Sequence, residues 1–381
     1  MNKQQILEGS RAIALTVKNI RPAVVSAYPI TPQTHIVEDL AKFKADGQAN
    51  YEYVRAESEF AAASIVLGAS ATGVRAYSAT SSQGLLLMAE VIYNIAGMRL
   101  PIVMTCANRA VSAPINIWND QQDVMAIRDA GWILLFAENH QEAVNQHIMA
   151  FKIAEQLKLP VMVNVDGFIM THTYEPVIIP TTEQIKKYLP NYKPTAGQFL
   201  DTVNPATLGA LATPAHYMEF RQELHDDLTA SLKTIDQEYK KFNKIFNYKI
   251  KGNAFIEYIG PKKPNTIIVA MGSVIGTIKE AVGKSDKIGI LKIKCFRPFP
   301  TDEILKIIKP TKNIAIVDKS ISLGTMGILA SEIKAIAQGK TNANISSFVV
   351  GLGGRDITKE IIKKIIKQAN KKSDKAQFIG K

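Results

Sequence analysis

The chain has 381 residues, of which 46 % are hydrophobic and 21 % are charged, a balance typical of a globular protein with about two or three domains. No apolar run approaches the ~18 residues of a membrane helix, and the first residues lack the charged–apolar–small order of a signal peptide, so we expect a cytoplasmic protein. The net charge of +12 suggests nucleic-acid binding, but the C-terminal lysines alternate with isoleucines at helical spacing, which favours a solvated helix face.

Strands and helices are predicted to alternate along the first half of the chain. Short β-rich runs predict strands in RPAVVSAYP, YEYVRA, VRAYSAT, LPIVMTCAN, WILLFA and LPVMVNV. Helical spacing predicts helices in MNKQQILEGSRAIALTVKNI, TPQTHIVEDLAKF, ESEFAAASIVLGASAT, QGLLLMAEVIYNIAGM and HQEAVNQHIMAFKIAEQL. This order indicates a doubly wound parallel α/β sheet, in which ligands bind beyond the carboxyl ends of the strands.

The pattern changes after residue 180. Residues 180–211 are rich in Pro, Thr and Asn and predict a long irregular connection, which a polar helix follows over about residues 216–246. A second, smaller α/β domain is predicted from strands in NTIIVAMGS, KIGILKIKCFRPFP, NIAIVDKS and ISSFVVGLGGRD and from a closing helix. The predicted domains are 1–248, which includes the connecting arm, and 249–381.

Thr31 lies between two prolines in YPITPQT, directly after a predicted strand. Each proline restricts the residue before it to extended geometry, which keeps this stretch out of a helix. The Thr31 hydroxyl could therefore point into the cleft, or it could cap the helix that follows. Thr34 fits the same cap, which would leave Thr31 free for ligand binding.

Glu59 is predicted in the first turn of a helix whose next residues are small and apolar. The helix dipole favours a carboxylate at that position, and Glu57 is a competing acidic residue two positions earlier, on another face. The small side chains allow the helix to pack closely against a neighbour or a cofactor. From the residues alone, the dipole and the functional interpretations both stay open.

Arg109 directly follows a predicted strand, so it is expected at the carboxyl edge of the parallel sheet, where Thr31 and Glu59 are also expected. A guanidinium group binds a carboxylate through two parallel hydrogen bonds, so Arg109 is a candidate for holding an acidic substrate. The alternative is a structural salt bridge with Asp120, Asp123 or Asp129.

Signals for phosphate, metal and cluster binding are weak in this chain. GLGGRD (351–356) is glycine-rich but matches neither the dinucleotide nor the P-loop pattern. VDGF (165–168) resembles the diphosphate-binding GDG motif of thiamine enzymes, but Val165 replaces the first glycine and Asn191 is a poor match for the Mg²⁺-holding asparagine, so we predict no metal site. Cys106 and Cys295 are predicted to be buried free thiols and are too few for an iron–sulfur cluster.

Seven stretches, in family order over nearly the whole chain, resemble the alpha subunit of the multi-subunit 2-oxoacid:ferredoxin oxidoreductases. They are YPITPQT, ESEFAAAS, SATSSQGLLLM, NRAVSAPINIWNDQQD, VNVDGF with the following TH, KCFRPFP and GLGGRDI. INIWNDQQD and the TH most resemble the pyruvate branch. The resemblance implies a pyrimidine-binding domain for thiamine diphosphate and a transketolase C-terminal-like domain. It also implies that a beta subunit holds the diphosphate and Mg²⁺ and that partner subunits, not this chain, carry the [4Fe-4S] clusters. The implied partners are the beta, gamma and delta subunits of one complex.

The resemblance also implies roles for individual residues. Glu59 matches the family glutamate that hydrogen-bonds N1′ of the aminopyrimidine and so promotes removal of the thiazolium C2 proton. Thr31 and Arg109 match the pair that holds the oxoacid, whose acyl group passes to coenzyme A while electrons pass to the clusters and then to ferredoxin. The cofactor cleft is expected to be lined by three residues of one turn, Ser81, Ser82 and Gln83.

Three alternatives stay open. The chain could belong to a sister enzyme for branched-chain 2-oxoacids or 2-oxoglutarate, or it could be a non-catalytic assembly subunit. Nucleic-acid binding is the third alternative and agrees least with the distribution of charge. His172 follows the VNVDGF strand and is left out of the predicted site, because a single histidine has many structural uses.

Overall fold

Strands and helices alternate along most of the chain, which a computed structural model describes for residues 3–248, 251–371, 373 and 375–380. The first part contains β1 (Gln5–Glu8), α1 (Gly9–Ile20), β2 (Val24–Ala27), α2 (Thr34–Ala45), β3 (Glu52–Arg55), α3 (Glu59–Ala71), β4 (Ala76–Thr80), α4 (Ser82–Leu87), α5 (Ala89–Gly97), β5 (Val103–Asn108), α6 (Gln122–Ala126), β6 (Ile133–Phe136), α7 (His140–Leu157), β7 (Val161–Asp166), β8 (Tyr174–Val177), α8 (Thr182–Tyr188) and α9 (Tyr217–Phe246). The second part contains β9 (Ile256–Ile259), β10 (Thr266–Met271), α10 (Val274–Val282), β11 (Ile288–Ile293), β12 (Cys295–Arg297), α11 (Thr301–Ile308), β13 (Asn313–Asp318), α12 (Ile328–Ala337), β14 (Asn344–Val349), α13 (Lys359–Gln368) and β15 (Gln377–Phe378).

The larger sheet has seven strands in the order β12-β6-β7-β5-β4-β2-β3. Neighbouring strands are parallel, except that β12 runs antiparallel to β6. Every residue of β4, β5 and β7 is buried, as expected for central strands of a parallel sheet that is covered by helices on both faces. The predicted doubly wound parallel sheet is therefore confirmed.

The smaller sheet has six strands in the order β15-β14-β13-β10-β11-β9, of which β9 is antiparallel to β11. It confirms the second α/β unit predicted from the sequence. A separate antiparallel pair joins β1 to β8. Among the described residues, no helix combines the length and the apolar character that crossing a membrane requires.

The prediction of one continuous strand in KIGILKIKCFRPFP is wrong. Strand β11 ends at Ile293 in the smaller sheet, whereas β12 begins at Cys295 and pairs with β6 of the larger sheet. The residues on both sides of this junction are buried, so the apolar pattern does not mark the change of sheet. The domain boundary near residue 248 stays a prediction. Strand β12 lies C-terminal to this boundary but belongs to the larger sheet.

Two helix predictions and the irregular connection predicted after residue 180 also need correction. Residues 5–8 form a strand paired with β8 rather than the start of a helix. The helix predicted in QGLLLMAEVIYNIAGM is interrupted at Met88 and becomes α4 and α5. The connection after residue 180 contains α8, which begins with a capping box between Thr181 and Gln184.

Candidate active site at the edge of the larger sheet

The predicted site residues lie in four segments, which follow β2 (Thr31), β3 (Glu59), β4 (Ser81, Ser82 and Gln83) and β5 (Arg109) of the larger sheet. These strands are parallel, so their carboxyl ends open on one edge of the sheet. The structure therefore places the predicted segments at a common edge.

Glu59 is the first residue of α3, as the sequence predicts. The hydroxyl of Ser58 caps this helix by accepting a hydrogen bond from the N–H of Ala61 (3.1 Å). The Glu59 side chain is buried, with 8 % of the residue exposed, and its carboxylate has no hydrogen-bond or ionic partner within the described part of the chain. Glu57 lies outside the helix and is exposed, so Glu59 is the better candidate of the two acidic residues for a functional carboxylate.

The Glu59 carboxylate lies against Gly84 and Thr80. A methyl group added at Gly84 would be 2.6 Å from Glu59 Oε1 and 2.6 Å from Thr80 Oγ1, so only glycine leaves room for both oxygens. Thr80 Oγ1 is buried and has no hydrogen-bond partner in the described chain, and the same is true of Gln83 Nε2. The Glu59 carboxylate and the Thr80 hydroxyl are thus held close together without internal partners, where a bound polar group could satisfy them.

Ser81 and Ser82 both use their hydroxyl groups inside the chain. Ser81 Oγ donates to the carbonyl of Ala107 (2.6 Å), and Ser82 Oγ contacts the carbonyl of Ala110. A hydroxyl has one hydrogen to donate, so Gln83 is the member of this turn with an unused donor. Cofactor binding by the three residues stays a prediction.

The structure brings Arg109 and Thr31 together. Arg109 donates from Nη1 to the main-chain oxygen of Thr31 (2.9 Å) and from Nε to the main-chain oxygen of Asn116 (2.9 Å). A guanidinium group has five N–H donors, and these bonds use two, so three have no acceptor among the described residues. Burial lowers the pKa of Arg109, and the negative charge of Asp123 limits that shift. Within the described chain Arg109 forms no ion pair, so the salt-bridge alternative is wrong.

Helix α2 begins without a side-chain cap, which corrects the expectation that Thr34 supplies one. Gln33 occupies the capping position, and Thr34 is already the first helical residue. The Gln33 side chain is buried and donates to the carbonyl of Ala79 instead. The Thr31 hydroxyl neither caps the helix nor has another partner in the described structure, so it is available to a ligand.

Asp123 ties two loops of the site together. Its buried carboxylate accepts hydrogen bonds from the main-chain N–H of Ser82 (2.9 Å), the main-chain N–H of Arg109 (3.0 Å) and the side-chain amide of Asn108 (3.1 Å). Burial raises the pKa of Asp123 to about 6, although these donors oppose the shift. Sequence reasoning considered Asp123 only as an ion-pair partner, because its amide contacts depend on tertiary structure.

The carboxylate of Asp166 in VDGF binds residues that follow two strands of the smaller sheet rather than standing free at the edge. Its carboxylate accepts hydrogen bonds from Lys319 Nζ (2.8 Å) and from the N–H of Ser273 (2.8 Å), with further donors from the side-chain amides of Asn119 and Gln121. Burial opposes its ionisation, but Lys319 and Ser273 outweigh burial and hold the pKa of Asp166 below its usual value. This carboxylate is fully used by donors of the chain itself.

His172 lies in a cluster with Glu8 and His35 that the sequence did not predict. One ligand atom from each of the three side chains lies within 4.8 Å of the others, a spacing that a metal ion could occupy. His35 Nδ1 is 2.7 Å from Glu8 Oε1, which is a direct hydrogen bond, and His172 Nδ1 is 2.7 Å from Thr171 Oγ1. These contacts account for the cluster without an ion, and we assign it no metal role.

Two families of known domains match this chain. Residues 16–241 match the family described as pyruvate flavodoxin/ferredoxin oxidoreductase, thiamine diphosphate-binding, and residues 265–362 match core domain II of pyruvate:ferredoxin oxidoreductase. Pyruvate synthase subunit PorA of Methanosarcina barkeri is 45 % identical over 97 % of this chain and 93 % of its own length. The corresponding protein of Methanocaldococcus jannaschii is 44 % identical over 98 % and 97 %. Ketoisovalerate oxidoreductase subunit VorA of Pyrococcus abyssi is 41 % identical over 94 % and 92 %.

A solved structure has the same fold. The 2-oxoglutarate:ferredoxin oxidoreductase of Magnetococcus marinus, with 2-oxoglutarate, coenzyme A and succinyl-CoA bound, matches with a TM-score of 0.72 and 21 % sequence identity. The match covers 97 % of this chain and 66 % of that one. The two α/β units thus have the fold of this oxidoreductase. The chain belongs to the pyruvate flavodoxin/ferredoxin oxidoreductase family, which confirms the resemblance found in its sequence and the class of enzyme that this resemblance implied.

The residues around Glu59 fit the pyrimidine ring of thiamine diphosphate. An aminopyrimidine offers both donors and acceptors, and it would meet the unpartnered Glu59 carboxylate and Thr80 hydroxyl. The glycine at position 84 keeps these oxygens close together without a side chain between them. These residues therefore fit the pyrimidine end of the cofactor, and the described chain does not use their free polar groups for its own fold.

Proposed function

We propose that this chain is the alpha subunit of a complex that oxidatively decarboxylates pyruvate, transfers the acyl group to coenzyme A and reduces ferredoxin. Nearly full-length similarity to two pyruvate synthase subunits supports the reaction. One structural observation carries the proposal at this site: Glu59 is buried at the edge of the sheet and has no partner in the described chain. A carboxylate that is held in a cleft without an internal partner is free to bind a donor of a ligand.

The chain contributes orientation and charge to this reaction. Thiamine diphosphate, when bound, supplies the carbon nucleophile that decarboxylation of a 2-oxoacid requires. Glu59 would share a proton with the pyrimidine ring nitrogen in a hydrogen bond and would so control proton removal from the cofactor. Arg109 binds the carboxylate of the oxoacid through its free N–H groups, and Thr31 donates its hydroxyl hydrogen to the same substrate.

We place the diphosphate, Mg²⁺ and the [4Fe-4S] clusters on the beta, gamma and delta subunits, and the complex in the cytoplasm. Two features of this chain support that division: Asp166 is already used by internal donors, and Cys106 and Cys295 are both buried as free thiols. Apolar side chains are exposed beside the predicted site residues, as a docking surface for a protein partner requires. These side chains are Tyr28, Phe60, Ile115 and Trp118.

Replacing the Glu59 carboxylate by an amide tests this function. In the purified complex, Glu59→Gln should lower turnover of pyruvate by about 10²–10⁴-fold, because a positioned proton-transfer group contributes on that scale. Glu57→Gln is the matched control, since Glu57 is exposed and lies outside α3, and it should retain wild-type turnover. Gel filtration of both variants checks that the complex still assembles. Near-normal turnover of Glu59→Gln would contradict the proposed role and favour a non-catalytic assembly subunit.

A branched-chain 2-oxoacid is the second candidate substrate, because the ketoisovalerate oxidoreductase subunit is 41 % identical, only slightly less than the pyruvate synthase subunits. Values of kcat/KM for pyruvate, 2-oxoisovalerate and 2-oxoglutarate, measured with one preparation, separate the possibilities. We expect pyruvate to have the largest value. A larger kcat/KM for 2-oxoisovalerate would show that the branched-chain 2-oxoacid is the substrate. The proposed roles of Glu59 and Arg109 would be unaffected by that result.

A further inference from the structure

A turn of the C-terminal domain binds the loop that follows Arg109. This turn, Gly351–Arg355, holds the loop from Asn116 to Asp120 through three hydrogen bonds. Asn116 Nδ2 donates to the carbonyl of Gly353 (3.0 Å), the N–H of Gly353 donates to Asp120 Oδ2 (3.2 Å), and the N–H of Gly354 donates to the carbonyl of Asn119 (2.6 Å). The amide groups of Gly353 and Gly354 are thereby occupied, so the structure does not support phosphate binding by GLGGRD.

Two glycines make this contact possible. Gly353 has φ +62°, and a methyl group there would lie 2.6 Å from Asn116 Nδ2. Gly354 has φ +81°, and its methyl group would lie 2.3 Å from Trp118 Cβ. Both positions need the left-handed conformation and the absence of a side chain, so the two backbones can approach only if both residues are glycine.

Asn116 transmits this contact to the guanidinium group of Arg109. Its side-chain oxygen accepts a hydrogen bond from the N–H of Trp118 (2.8 Å), while its side-chain nitrogen binds Gly353, so both ends of the amide are fixed. Its main-chain oxygen accepts the hydrogen bond from Arg109 Nε (2.9 Å). A shift of the Gly351–Arg355 turn would therefore move the carbonyl group that orients Arg109.

We propose that Asn116 and the Gly351–Arg355 turn are positioning elements for Arg109, which hold its guanidinium group in the direction required to bind the carboxylate of a 2-oxoacid. This inference rests on the proposed role of Arg109 in substrate binding. It assigns the C-terminal domain a part in substrate recognition, although the turn lies 237 residues from Asn116 in sequence. A small misplacement of a binding group far from the reacting atoms is enough to weaken a site considerably.

Steady-state kinetics of the assembled complex test the inference through two variants. Asn116→Asp keeps the acceptor for the N–H of Trp118 but turns a carboxylate oxygen toward the carbonyl of Gly353, and Gly353→Ala pushes Asn116 away. Each variant should raise KM for pyruvate by about tenfold, as expected when binding energy shared by ground state and transition state is lost. The KM for coenzyme A should stay within about twofold of wild type. Gly339→Ala is the matched control, because Gly339 has φ +68° and no atom of the described residues lies within 4 Å of the added methyl group.

Arg109→Lys separates failure of this inference from failure of the proposed function. If Arg109→Lys raises KM for pyruvate while Asn116→Asp and Gly353→Ala do not, the positioning role is refuted and the role of Arg109 stands. If Arg109→Lys leaves KM unchanged, the substrate-binding role fails and the positioning role fails with it. In the Arg109→Lys background, Asn116→Asp should have little further effect; a full additional tenfold effect would show that Asn116 acts elsewhere.

Discussion

The lack of a side chain at Gly84 leaves room for the Glu59 carboxylate and the Thr80 hydroxyl. Adding a methyl group by Gly84→Ala would bring it to 2.6 Å from both Glu59 Oε1 and Thr80 Oγ1, so at least one oxygen must move. We expect turnover of the assembled complex to fall by roughly tenfold or more at saturating cofactor, because the carboxylate no longer meets the ring in its native position.

Gly68→Ala is the control for Gly84→Ala, because Gly68 also lies in a helix but has no atom within 4 Å of the added methyl group. It should leave turnover unchanged and stabilise α3 by about 1 kcal/mol through higher helix propensity. Equal turnover of the two variants would show that close packing at position 84 does not control Glu59.

Among the individual residues, the sequence was most informative about those that directly follow strands. Glu59, Arg109 and Thr31 could be named because a parallel sheet brings the ends of its strands to one edge. The sequence did not predict the role of Asp123, because its carboxylate accepts hydrogen bonds from main-chain N–H groups of other loops. It did not predict the role of Asn116, because this residue binds Arg109 through its main-chain carbonyl group. No side-chain pattern reports such contacts.

Asp318 links a strand to a helix and should make stability depend on pH. It ends β13, is fully buried and accepts hydrogen bonds from the N–H groups of Leu329 (2.7 Å) and Ala330 (3.2 Å) in the first turn of α12. Burial raises the pKa of Asp318 from its usual 3.8 to about 7, against the effect of these donors. Between pH 3.8 and about pH 7 the Asp318 carboxyl group is protonated in the folded protein and ionised in the unfolded chain. The contribution of Asp318 to the free energy of unfolding therefore falls as the pH rises through this range.

The variant Asp318→Asn removes this titration. The thermal midpoint of the purified chain is measured at pH 5 and at pH 7.5 for both proteins. The decrease in midpoint between the two pH values should be smaller in the variant than in the wild type, because all other titrating groups are the same in both. The same difference between the two pH values in both proteins would contradict the raised pKa.

The pattern of apolar residues predicted most elements well and failed where neighbouring elements share one pattern. The predicted helix HQEAVNQHIMAFKIAEQL coincides with α7, and the polar helix expected near 216–246 is α9 (Tyr217–Phe246). The break at Met88 between α4 and α5 was missed because apolar residues continue across it. The passage from β11 to β12 was missed because the alternation of apolar residues with lysines continues through Lys294. In each case tertiary packing ends the element.

A buried ion pair connects the two sheets at the scale of the whole molecule. Lys319 Nζ lies 2.8 Å from Asp166 Oδ2, and the two side chains are 2 % and 1 % exposed. Lys319→Met would leave the Asp166 charge buried without its cation, which should lower the free energy of unfolding by about 3–5 kcal/mol. Urea denaturation of the purified chain measures this loss.

Lys359→Met is the matched control for the ion pair, because Lys359 pairs with Glu280 at 3.3 Å on the surface, where both side chains are more than half exposed. Its cost should stay below about 1 kcal/mol. A loss of similar size in both variants would mean that the pair between Asp166 and Lys319 does not hold the domains together. Its partners are 153 residues apart, and their meeting depends on how the two sheets are arranged, which local patterns in the sequence do not specify.

The central claim is that the Glu59 carboxylate meets the pyrimidine ring of thiamine diphosphate, and proton exchange at C2 of the bound cofactor tests it most directly. In the assembled complex at saturating thiamine diphosphate and Mg²⁺, exchange of the C2 proton with deuterium oxide should be about 10²-fold or more slower in Glu59→Gln than in the wild type. An unchanged exchange rate in Glu59→Gln would contradict the contact between this carboxylate and the ring.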